Sequence, residues 1–190
     1  EKYSLEKKFD LNIAFIDNLD SFSQNIIHAL QSLGCSVETF DGRGEVVDLE
    51  HDAVVIGPGP GRPEVSPLSL HDAKLNIPVL GICLGHQAIG LSRGMELIES
   101  PLGPVHGVPS PVLANGGGLL EKGEHVMTRY NSLVLSGSGG LTITATDETG
   151  TLPMEIRDGN TYGVQFHPES IGSKNGIAVL EEFLHRVAHC

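Results

Sequence analysis

The sequence holds no tryptophan, and aromatic residues make up only 5% of its 190 positions. Its core must therefore be mainly aliphatic, and a hydrophobic content of 39% is enough for one globular unit of this length. Cations are also scarce: 12 Lys and Arg stand against 24 Asp and Glu, for a net charge of −12. They are scattered, with no cluster longer than Lys7-Lys8. A surface that tracks phosphates needs clustered cations, so the composition argues against nucleic-acid binding. Three cysteines, Cys35, Cys83 and Cys190, make no disulfide framework and point to a reducing compartment. No apolar run approaches the ~18 residues of a membrane span. No charged-then-apolar leader opens the chain, and the expectation is a cytoplasmic protein without membrane attachment. A chain of this size has room for one small active site, not for a multidomain synthase.

Charged residues without periodicity mark residues 1–10 as an N-terminal extension, leaving 11–190 as a single domain. Asn12–Asp17 reads as a buried strand. Asp20-Ser21 offers an N-cap to a helix whose apolar stripe is Phe22, Ile26, Ile27, Leu30 and Leu33, stopped by Gly34. Ser36–Phe40, Ala53–Ile56 and Pro78–Cys83 are further strands. This alternation predicts an α/β fold, an open and mostly parallel sheet with helices on both faces. The stretch 94–138 is turn-rich and carries Pro101, Pro104, Pro109 and Pro111. Short strands at Val126–Arg129 and Val134-Leu135 fit a small antiparallel layer. Leu141–Ala145, Met154–Ile156 and Tyr162–Phe166 are strands, and Ile177, Leu180, Phe183, Leu184 and Val187 form a last helical stripe.

The sharpest chemical signal is Gly81-Ile-Cys83-Leu-Gly85, a nucleophile elbow with cysteine as the nucleophile. A nucleophile on a sharp strand-to-helix turn crowds the neighbouring backbone, which glycine tolerates. The helix N-terminus that follows favours thiolate, and the Leu84 N–H would point at an oxyanion. Taken alone, the pattern is equally a buried cysteine between two helix-packing glycines. The nucleophile needs a base and the base an orienter. His167 ends an apolar run and is followed by Pro168 and Glu169, so it fits the base with Glu169 holding it. His86, three residues after Cys83, is the competing base but has no carboxylate near it in sequence. The loop Gly57-Pro-Gly-Pro-Gly-Arg-Pro63 cannot continue a helix or strand, and it follows a strand at the end where α/β sheets bind ligands. It is not a phosphate-binding loop, because no Gly-Lys-Ser/Thr follows.

Together, GPGPGRP at 57–63, GICLGHQ at 81–87, TRYNSLV at 128–134 and GVQFHPES at 163–170 resemble the class I (triad) glutamine amidotransferases. IDNLDSFSQN at 16–25 looks like the branch that supplies the glutaminase subunits of anthranilate synthase and aminodeoxychorismate synthase. The resemblance runs from about Leu11 to the end and implies that family's flavodoxin-like α/β fold. It implies Cys83 as nucleophile on the glutamine carboxamide, His167 as base and acid, and Glu169 as its orienter. It further implies an oxyanion hole from the N–H groups of Gly59 and Leu84. Glutamine would be held by Gly59, Pro60, Gly61, Gln87, Ser132 and Leu133. Ammonia would pass to a larger chorismate-binding synthase subunit in a hetero-oligomer. That subunit would carry the magnesium, so no cofactor and no metal site are expected in this chain.

Three positions depart from the family's pattern. Asn131 stands where histidine is usual before the Ser-Leu pair, Val108 stands where lysine follows His-Gly, and Asp41–Asp52 is short. None touches the expected triad. Asn131 and Val108 motivate a second reading, an amidotransferase-like subunit that only regulates a synthase. Within the chorismate branch the sequence leans only slightly to tryptophan synthesis, and service to the para-aminobenzoate branch is the further alternative.

Overall fold

Alternation along the central strands decides which helix covers which face of the sheet. The computed structural model describes residues 9–190. The expected extension at 1–10 lies mostly outside the described residues; within them, the Phe9 N–H donates to Leu33 O at 2.9 Å and its ring packs on the core. In chain order the elements are β1 (Asn12–Asp17), α1 (Ser23–Ser32), β2 (Ser36–Asp41), β3 (Ala53–Ile56), α2 (Pro67–Asp72), β4 (Val79–Ile82) and α3 (Leu84–Ser92). There follow β5 (Glu96–Glu99), β6 (Val105–Ala114), β7 (Gly123–Asn131), β8 (Leu133–Ser136), β9 (Thr142–Asp147), β10 (Pro153–Asp158), β11 (Thr161–Val164) and α4 (Ile177–Ala188).

The main sheet has the order β2-β1-β3-β4-β11-β10-β9-β6-β7. Its first five strands are parallel and the rest continue antiparallel. β5 and β8 make a separate antiparallel pair. Ile13 and Phe15 of β1, Val55 of β3 and Leu80 and Ile82 of β4 face α1 and α4, where they meet Ile26, Leu30, Leu180, Phe183 and Leu184. Ala14, Ile16, Val54, Ile56 and Val79, one residue out of phase, face Leu68 of α2 and Ile89 of α3. The period of two thus splits these strands between two cores, which is why they read as continuous apolar runs.

Two local readings change. The α1 N-cap is Phe22, not Asp20 or Ser21. Asp20 Oδ1 instead accepts from the Phe22 N–H at 2.7 Å, an Asx turn that delays the helix. Phe22 therefore leaves the apolar stripe, while Ile26, Ile27 and Leu30 stay buried in it. The turn-rich stretch contains a ten-residue strand, β6, that includes Pro109 and Pro111. Both prolines pair with β7, but β9 reaches only Val112–Ala114, so no ladder on their other side needs the missing N–H groups.

α3 lies unusually close to the sheet, and its glycines are the reason. A Cβ on Gly85 would strike the Ile56 carbonyl oxygen, and one on Gly81 would strike the backbone of Gly85. Gly85→Ala should therefore cost about 2–3 kcal/mol of unfolding free energy in urea denaturation. Gly140→Ala, where a Cβ meets nothing within 4 Å, should stay within about 0.5 kcal/mol of the parent.

Candidate active site

The C-terminal ends of β3, β4 and β11 meet at one edge of the parallel sheet, and each delivers a different kind of group. β3 runs into the Gly57–Pro63 loop. Asn18, at the end of β1, fastens it: its Nδ2 donates to Gly57 O and to Ser69 Oγ, both at 3.0 Å. Gly59 crosses so close to Asn18 that a Cβ there would lie 2.5 Å from the Asn18 Cβ. Glycine is required here by approach rather than by flexibility.

β4 delivers Cys83. It caps α3 with φ 54° and ψ −101°, a conformation that residues with a side chain rarely adopt. Two backbone bonds hold it there: its N–H donates to Val164 O at 2.9 Å, and its carbonyl accepts from the Gln87 N–H at 3.1 Å. Leu84 opens α3 immediately afterwards, so its N–H is a first-turn donor with no acceptor inside the helix. The Leu84 side chain is buried and does not line the cavity beside Cys83.

β11 delivers His167, whose N–H donates to Thr128 O of β7 at 2.9 Å. Ser173 Oγ donates to His167 O at 2.6 Å and accepts from the Thr128 N–H at 2.9 Å, closing a clamp around this backbone. The imidazole Nδ1 lies 2.6 Å from Glu169 Oε1, and both side chains are 1% exposed. Burial opposes the imidazolium, but hydrogen bonds to Cys83 and Glu169 and the charges of both outweigh it, raising His167 to about 10. The edges of Phe22 and Tyr130 enclose the ring, at centroid distances of 5.5 and 5.0 Å. His86 goes elsewhere. It is wholly buried under the sheet against Gly163, and burial pushes it down to about 4, so it is a neutral packing residue at ordinary pH.

A cavity of about 200 Å³ opens beside the thiol, lined by Gly59, Pro60, Gly61, Gln87, Ser132 and Leu133 together with Arg62, Tyr130 and Asn131. It is smaller than the ~300–1,000 Å³ of common cofactor pockets and suits a molecule of amino-acid size. A larger cavity of about 340 Å³ lies against α4 and has no nucleophile. Its two basic side chains are already engaged: Arg186 bonds Glu182, Tyr162 and Gly118 O, and His125 bonds Glu121 O.

The thiol, the carboxylate-held imidazole and the small cavity form a nucleophile, base and orienter arrangement suited to acyl transfer. The class I glutamine amidotransferase family model matches residues 14–187. The chain belongs to this family. It is 35% identical over 187 residues to anthranilate synthase component 2 of Azospirillum brasilense, covering 91% of this chain and 95% of that one. It is 36% identical over 188 residues to aminodeoxychorismate synthase component 2 of Escherichia coli, covering 92% and 100% respectively. A glutamine amidotransferase from Thermotoga maritima shares the fold, with a TM-score of 0.76 at 17% identity over 95% of this chain and 99% of that one.

Sequence reasoning missed Gln165. It is fully buried, its Nε2 approaches Cys83 Sγ at 3.7 Å, and its Oε1 accepts from Gln87 Nε2 at 3.3 Å. Gln87 Nε2 also donates to Leu133 O at 3.2 Å, so a line of amides joins the cavity wall to the thiol. The available signal was a polar residue inside the apolar run Val164-Gln-Phe166, which must find a partner when buried. Phe22 and Arg62 were also missed. Phe22 was hidden by its fit to the helical stripe, and Arg62 by a loop whose path depends on Asn18.

His167 gains proton affinity on folding. Its contribution to stability is complete below its ordinary value of 6.5 and is lost as pH rises through about 10. Urea unfolding measured between pH 6.5 and 10 should show stability falling with pH in the wild type. Glu169→Gln, which removes one of the raising charges, should flatten that slope and lower the imidazole midpoint read by NMR.

Proposed function

We propose that residues 11–190 form one amidotransferase domain that acts as the glutaminase subunit of a chorismate-using synthase, hydrolysing L-glutamine to glutamate and ammonia. The observation that carries this reading is Cys83, strained at the mouth of an amino-acid-sized cavity beside a His167 held by Glu169.

In this reading His167 already holds the Cys83 proton in the resting site, and the thiolate attacks the glutamine carboxamide carbon. The N–H groups of Gly59 and Leu84 receive the oxyanion. His167 then protonates the amide nitrogen as the C–N bond breaks, releasing ammonia and leaving a γ-glutamyl thioester on Cys83. Water, deprotonated by His167, attacks that thioester, and glutamate leaves as the thiolate reforms. Glu169 keeps the imidazole in the tautomer and orientation that both steps need. Gly59, Pro60, Gly61, Gln87, Ser132 and Leu133 hold the substrate. The ammonia is consumed by a larger partner subunit that binds chorismate.

Anthranilate synthase is our preferred assignment, because component 2 of that enzyme recurs among the relatives at this level of identity. The aminodeoxychorismate branch is the second reading, carried by an equal resemblance to its component 2. Mixing the purified chain with each synthase subunit and assaying which product becomes glutamine-dependent separates the two.

Cys83→Ala should abolish glutamine-dependent synthesis by the complex while leaving ammonia-dependent synthesis intact. Glutaminase activity retained by that variant would sink the assignment. An electrophilic glutamine analogue should label Cys83 stoichiometrically, with protection by glutamine; no labelling would favour a purely regulatory subunit.

A further inference from the structure

Asn131 is 5% exposed and lines the cavity beside Cys83. Its amide has a defined orientation. Nδ2 donates to Leu133 O at 3.0 Å, and because that acceptor is a carbonyl, Oδ1 must be the other atom. Oδ1 is buried and has no hydrogen-bond partner among the described residues. A buried acceptor without a partner is costly, so in a functional pocket it marks the place where a donor arrives.

The cavity's remaining chemistry indicates which donor. It has one cationic side chain, Arg62, paired with Glu64 at 3.4 Å, and none of its lining residues is a carboxylate. An α-amino acid bound there brings a carboxylate, which Arg62 can meet, and an ammonium, which needs a neutral acceptor. Leu133 O already receives two donors, Gln87 Nε2 and Asn131 Nδ2. Among the side chains that line the cavity, Asn131 Oδ1 is the buried acceptor left without a partner.

We infer that Asn131 is a specificity residue whose Oδ1 accepts a hydrogen bond from the α-ammonium of the bound glutamine. This rests on the glutaminase reading. Asn131 takes no part in bond breaking and acts by selecting γ-amides that carry an α-ammonium over those that lack one. Because the bond is made equally in ground and transition states, its loss should appear in binding rather than in turnover.

The test is calorimetric titration of the full chain carrying Cys83→Ala, with two ligands: glutamine and glutaramate, which is glutamine with its α-ammonium replaced by hydrogen. Asn131→Leu should weaken glutamine about tenfold, the scale of a hydrogen bond to a charged group, and leave glutaramate within about twofold. Asn131→Asp, which keeps an acceptor oxygen but loses the donor to Leu133, should preserve the discrimination between the ligands. Equal weakening of both ligands by Asn131→Leu, no weakening of glutamine, or loss of discrimination in Asn131→Asp would each overturn the inference while leaving the pocket assignment in place. Failure of the Cys83→Ala chain with Asn131 intact to bind glutamine would overturn the glutaminase reading itself.

Discussion

The parallel pairing of β4 with β11 is the constraint on which the site depends. Its register sets Gly81 beside Gly163 and Ile82 beside Val164. The next bond in line is Cys83 N–H to Val164 O. With that bond made, Gln165 falls beside the thiol and His167 follows at the strand's end. A slip of one residue would turn Gln165 and His167 to the opposite face and send Val164 and Phe166 into the cavity. Two apolar cores enforce the register, because Leu80, Ile82, Val164 and Phe166 are buried in one and Val79 and Ile156 in the other.

Close backbone approach is the second constraint. Gly81 and Gly85 let α3 sit on the ends of β3 and β4, and Gly59 lets the loop after β3 cross Asn18. These contacts fix where the first-turn amides of α3 and the backbone of the loop lie relative to Cys83. The positive φ of Cys83 is retained because hydrogen bonds on both sides over-determine it. Strain at Cys83 and stability in the surrounding sheet are thus parts of one arrangement.

The same logic explains the environment of His167. A buried imidazolium is unfavourable unless anionic partners offset the lost solvation. Glu169 supplies one, only two residues away, and Cys83 adds to its effect. Tyr130 and Phe22 exclude water from the ring without taking its hydrogen bonds. Tyr130 also walls the cavity, so the residues around the imidazole and those around the cavity are not separate sets.

Most of the parallel half of the fold was legible in the sequence, because fully buried strands are continuous apolar runs and the helices between them carry 3.6-residue stripes. Gly81, Gly85 and the Gly57–Pro63 loop were legible for the same local reason: they violate helix and strand chemistry where a site requires it. The strand β6 was not, since Pro109 and Pro111 forbid a central ladder and only the partial reach of β9 makes them acceptable. Phe22 was misplaced because an Asx turn at Asp20 overrode the helical period. The sequence by itself determined the chemical types available, a thiol on a glycine-flanked turn and an imidazole two residues from a carboxylate. Only the tertiary structure decided that Cys83 lies next to Gln165 and His167, that His86 is buried packing, and that Asn131 lines the cavity with its Oδ1 unpartnered. Those relations span long sequence separations and are set by strand register and core packing, which no local pattern encodes.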